Sequence, residues 1–103
     1  MSPEQFTTEL RIQTERLDLT ASDLAVWFGR PRMTLRSWLV EARTPTEGRV
    51  LDECARRLKL LKATRALPVP YDVLKHERPG YIKQAFNDAD NAGVPARNSA
   101  RKR

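Results

Sequence analysis

The stretch that most constrains this chain is Ala21 to Val40, ASDLAVWFGRPRMTLRSWLV. Leu24, Ala25 and Phe28 recur at helical spacing before Gly29, and Leu35 and Trp38 recur at helical spacing after it. Two short helices joined at the glycine account for both stripes. Gly29 supplies the tight, left-handed turn that a side chain resists. Ala25 is small where the second helix must cross closely.

Two helices crossing at such a turn are the signature of a helix-turn-helix, whose second helix enters the DNA major groove. Thr20, Leu24-Ala25, Gly29, Leu35, Trp38 and Pro45 carry a pattern: a polar cap, Leu-Ala, Gly four residues after the Ala, an aliphatic residue, then Trp and a Pro seven residues later. In this the chain resembles the phage Cro and repressor proteins and their bacterial relatives, the XRE-type regulators, over about residues 8–62. It departs from the family at Arg30, where an aliphatic residue is usual, at Pro31, where Ser often caps, and at Leu39, where Glu is usual. The resemblance implies an all-α fold, a small lambda-repressor-like helical bundle.

Length and charge bound the rest. A chain of 103 residues allows one small core. No apolar run approaches a membrane span and no signal peptide opens the chain, so a cytoplasmic protein is expected. The single cysteine, Cys54, excludes an internal disulfide and a cysteine-based metal site. Net charge is +6 and the pI about 10.1, which points to an anionic partner. Residues 1–28 hold two Arg against five acidic residues, net −3; residues 29–45 hold four Arg against one Glu, net +3. The charge therefore changes sign at the turn.

Ser2-Pro3-Glu4-Gln5 is a capping box that opens a first helix ending near Leu17-Asp18, with Phe6, Leu10 and Leu17 inward and Gln13 interrupting the stripe. Thr20 caps the second helix, with Asp23 a near-equivalent of the capping-box acid. Trp27 has two readings: it packs on the first helix or the C-terminal part, or, with Val26, it touches another chain. Leu39 and Val40 add to the same apolar surplus. The third helix starts near Pro31 and runs to about Ala42. Thr44-Pro45-Thr46-Glu47 reads as a second capping box opening a fourth helix, whose stripe is Val50, Leu51, Cys54, Leu58 and Leu61. That helix is expected to reach Ala66 before Pro68 stops it.

Leu67-Pro68-Val69-Pro70 reads as an extended linker, Tyr71–Leu74 as a short helical turn, and Pro79-Gly80 as a further break. Tyr81 to Asn91 predicts one more amphipathic helix, with Ile82, Ala85, Phe86 and Ala89 on one face and Gly93 at its stop. It is a candidate for dimerisation or for covering Trp27. The expected organisation is a helix-turn-helix DNA-binding domain over 1–67, a C-terminal extension with an oligomerisation candidate over 68–93, and a disordered basic tail over 94–103.

In the family, the positions of Arg32, Met33, Arg36 and Ser37 reach base edges. Arg36 has the fork that pairs with O6 and N7 of guanine, Arg32 suits a base or a phosphate, and Met33 suits a thymine methyl. Thr34 and Ser37 are candidate donors to phosphate or base, and Thr20, Arg30 and Arg43 complete the predicted DNA contacts. His76, the only histidine, has no neighbouring nucleophile, and no phosphate loop or metal-ligand spacing occurs. An enzyme and a cofactor are not expected. The leading expectation is a transcriptional repressor acting as a homodimer on double-stranded DNA. The alternatives are a DNA-handling assembly protein such as a phage packaging adaptor, or a protein-interaction module that keeps the fold.

Overall fold

The computed structural model describes residues 1–92. Their regular structure is entirely helical: α1 (Pro3–Arg16), α2 (Ala21–Phe28), α3 (Arg32–Val40), α4 (Arg49–Ala63), a 3-10 turn (Lys75–Glu77) and α5 (Arg78–Ala92). No helix among these residues is long and apolar enough to cross a membrane. Gly93 and the basic residues Arg97, Arg101, Lys102 and Arg103 lie outside the described residues.

Two reciprocal capping boxes start the first two helices. The Ser2 hydroxyl accepts from the Gln5 N–H at 3.1 Å while the Gln5 side chain accepts from the Ser2 N–H at 2.8 Å. Thr20 and Asp23 repeat the exchange at 3.1 and 2.9 Å. Each box pairs donors that a helix start otherwise leaves free.

One apolar cluster is shared by all five helices. Phe6 of α1 lies at its centre, meeting Phe28 of α2 edge-on at 6.0 Å and Trp38 of α3 edge-on at 5.6 Å. Such pairs contribute about 0.5–1.5 kcal/mol beyond the area they bury. Leu51, Cys54, Leu58 and Leu61 bury the α4 stripe as expected, and Ile82 and Ala85 bring α5 onto the same cluster. Gln13 is buried within its stripe, donating to Glu9 at 2.7 Å and accepting from Arg16 at 2.6 Å.

α5 lies against α2 and covers Trp27. The Phe86 ring meets the Trp27 indole edge-on at 5.2 Å, and Trp27 is 1% exposed. Contact of Trp27 with another chain is thereby overturned, because the indole is enclosed by this chain's own helices. Val26 and Leu39 also pack on the cluster, leaving Val40, 66% exposed, as the open member of the apolar surplus. At the start of α5, Arg78 forks onto the buried Asp23 carboxylate with two bonds of 2.8 Å and reaches the Asp18 carbonyl at 3.2 Å. Burial alone pushes the Asp23 carboxyl up, but Arg78 and Thr20 outweigh it and hold it below its ordinary value.

Four boundaries differ from the sequence expectation. The box at Thr44–Glu47 does not form: Pro45 is buried, Gly48 turns the chain at φ 96°, and α4 starts at Arg49 without a side-chain cap. α3 ends at Val40, since Ala42 takes a left-handed φ of 58° and the Arg43 N–H closes back on the Ser37 carbonyl at 3.2 Å. α4 ends at Ala63, because Thr64 turns extended and its hydroxyl takes the Ala66 N–H at 3.2 Å. Pro79-Gly80 does not break the chain but sits in the first turn of α5, where a missing N–H costs nothing. At 71–74 the expected turn is a single one, the Val73 N–H reaching the Pro70 carbonyl at 3.1 Å, and a 3-10 turn follows it at Lys75–Glu77. The 67–70 segment is packed: Leu67 is buried, Val69 lies on the cluster, and the Tyr81 hydroxyl donates to the Ala66 carbonyl at 2.6 Å.

Glu53 accepts from Arg56 and from Arg57, and these bonds lower its pKa to about 2. Asp23 and Glu53 both hold protons more weakly when folded. Their stabilisation is complete above the unfolded values of 3.8 and 4.5 and is lost as pH falls through the folded ones. The urea midpoint is expected to drop between about pH 5 and about pH 2, and Glu53→Gln is expected to flatten part of that slope.

Candidate functional site

The geometry between α2 and α3 starts from Gly29, which closes α2 in the left-handed conformation at φ 64°, ψ 37°. Its N–H and that of Arg30 both point back to the Ala25 carbonyl. The space behind the turn is filled from α4. Arg57 Nη1 donates to the Trp27 carbonyl at 3.0 Å, and the Trp27 indole N–H donates to the Arg57 carbonyl at 2.9 Å. A Cβ on Gly29 would stand 3.2 Å from Arg57 Nη1. The same guanidinium bonds Glu53 at 2.7 Å and lies 4.5 Å over the Phe86 ring.

α3 leaves this turn with Pro31 at its cap, whose carbonyl takes the Thr34 and Leu35 N–H groups. Leu35 and Trp38 anchor one side in the core. The far end is fastened to α1, where Arg11 Nε donates to the Leu39 carbonyl at 3.1 Å, a cation at a helix C-terminus. Thr7 donates to the Arg43 carbonyl at 3.5 Å. The helix is thus held at both ends and along its inner side.

Its other side is open. Arg32, Met33, Arg36 and Val40 are exposed, and Met33 is 62% so. Arg32 and Arg36 make no hydrogen bond or ion pair among the described residues. They stand four residues apart, in one row along the helix. Arg43 is exposed just beyond, with a loose 3.5 Å ion pair to Glu41. Arg49, at the start of α4, is also exposed.

The remaining predicted residues are placed differently. Arg30 is half-buried beside the Cys54 thiol, turned towards α4. Burial pushes the Cys54 pKa up, and the Arg30 charge offsets that only in part. The Ser37 hydroxyl faces its own helix, within donating distance of the Met33 carbonyl at 3.2 Å and the Thr34 carbonyl at 3.4 Å. Thr34 is half-buried, and Thr20, though exposed, has its hydroxyl oxygen engaged as the cap of α2. The structure therefore brings together Arg32, Met33 and Arg36, with Arg43 following.

Sequence reasoning missed Arg57, which backs the Gly29 turn, and Arg78, which fastens α5 to the start of α2. Nothing in their local sequence separates them from solvated arginines on a helix. No group of His, Cys, Asp and Glu that could hold a metal ion occurs among the described residues. No family model matches the chain, and no curated protein and no solved structure matches it.

Two stability outcomes follow from this division. Gly29→Ala is expected to lower the unfolding free energy by about 1–2 kcal/mol in urea titration, since a side chain at its left-handed φ is strained, as Ala42 already is, and Arg57 fills the space. Arg32→Ala and Arg36→Ala are expected to change it by no more than about 0.5 kcal/mol, because neither side chain has a partner among the described residues to lose.

Proposed function

We propose that the protein is a sequence-specific DNA-binding transcriptional regulator, a repressor that acts as a homodimer on double-stranded DNA. In this reading α2, the Gly29 turn and α3 form a helix-turn-helix, and α3 enters the major groove. The observation that carries it is the pair Arg32 and Arg36, exposed and without a partner among the described residues, on a helix anchored in the core by Leu35 and Trp38. A solvated surface gains little from guanidinium groups with no partner, whereas a polyanion rewards them with charge-assisted bonds. The net +3 of residues 29–45 supports the same partner.

The mechanism is steric. Two protomers place their third helices in successive major grooves, about 34 Å apart, on a near-palindromic site. A protein bound across a promoter then excludes polymerase. Arg43, beside the open row, holds a phosphate.

A gel shift with mixed-sequence duplex at low salt tests the reading, and retarded DNA is expected. Arg43→Ala is expected to weaken binding to all sequences alike and to reduce the slope of log K against log salt by about 1. Absence of any retarded species at low salt would overturn the proposal.

A further inference from the structure

We infer that α3 reads keto bases: two G·C pairs, one or two base-pair steps apart in each half-site, with a thymine methyl beside them. This rests on the DNA-binding reading above and adds the base composition that the exposed side of α3 accepts.

The inference comes from which chemical groups are open on that side. α3 is RMTLRSWLV and contains no Asn, Gln, Asp or Glu. The Ser37 hydroxyl is directed at carbonyls of its own helix, and Thr34 is half-buried. The nearest carboxylate, Glu41, lies past the last turn and is paired with Arg43. What remains open is two guanidinium groups, which only donate, and two apolar side chains, Met33 and Val40.

Such a side cannot read every base. Guanine offers two acceptors in the major groove, N7 and O6, which one guanidinium fork matches. Adenine sets a donor beside its acceptor and is matched by an amide, which α3 lacks. Cytosine offers a donor and needs an acceptor, and α3 has no carboxylate or amide to supply one, only the half-buried Ser37 oxygen, whose proton is turned onto its own helix. A guanidinium facing the amino group of either base sets donor against donor. Thymine contributes a methyl, which suits Met33 between the two arginines.

Spacing limits how far apart the guanines lie. Residues four apart are separated by about 6 Å along a helix. Base pairs rise about 3.4 Å, and in zinc fingers helix residues three apart meet successive bases. Arg32 and Arg36 therefore reach pairs one or two steps apart.

The test selects duplexes bound by the full chain from a random pool, then varies the selected site. Each critical G·C pair changed to A·T is expected to weaken binding about tenfold or more. Replacing guanine with 7-deazaguanine, which lacks N7, should weaken binding in the same direction. Inosine, which keeps O6 and N7, should not. Arg36→Ala should abolish the preference at one pair and Arg32→Ala at the other, and Met33→Ala should abolish the preference for thymine over uracil. Retained duplexes without the paired G·C positions, or variants with unchanged preferences, would overturn this inference while leaving DNA binding in place. A pool from which nothing is retained at low salt would overturn the DNA-binding reading itself.

Discussion

The exchange of hydrogen bonds between Trp27 and Arg57 is the constraint on which the rest depends. Each residue gives its side-chain N–H to the other's backbone carbonyl, at 2.9 and 3.0 Å, and so ties the end of α2 to the middle of α4. Hydrogen bonds from a charged group contribute about 1.5–3 kcal/mol, more than the 0–1 kcal/mol typical of an exposed ion pair. The Glu53 pairing lies within α4, so the backbone exchange, and not the ion pair, is what fastens one helix to the other. Glu53 and the Phe86 ring serve instead to make a guanidinium acceptable at a half-buried position. Because Arg57 also fills the space behind Gly29, the direction in which α3 leaves the turn is set by α4 and α5 as much as by the turn itself.

The arginines divide into two populations that total charge cannot distinguish. Arg11, Arg56, Arg57 and Arg78 are bonded to carbonyls or carboxylates that hold helices together. Asp23, Glu53 and Asp90 are used up in those contacts. Arg32 and Arg36 face outward with no acid paired to them among the described residues. Net charge alone therefore does not locate the open row: the acids that Arg56, Arg57 and Arg78 use belong to the scaffold, and along α3 the arginines keep their charge facing out.

What was legible in the sequence was local in origin. The Ser2 and Thr20 caps, the Gly29 turn, the inward Leu35 and Trp38, and the amphipathic helix after residue 80 all depend on neighbours within one or two turns. The corrections arise where local preference met a tertiary constraint. Thr44–Glu47 has capping chemistry, but the burial of Pro45 and the bend at Gly48 move the helix start to Arg49. Pro79-Gly80 looks like a break, but Arg78 anchors a helix that begins just before it. The supporting contacts were not legible at all. Arg57 meets Trp27 across 30 residues, and Arg78 meets Asp23 across 55, and no pattern in one sequence pairs them.

Cys54 brings a consequence of its own. It is 1% exposed, its thiol is pushed up in pKa, and it is the chain's one cysteine. An alkylating reagent meets the reactive thiolate only once α4 has parted from its neighbours. The labelling rate of this single sulfur is a clock for the opening of the helix that holds the turn, read without any foreign reporter attached.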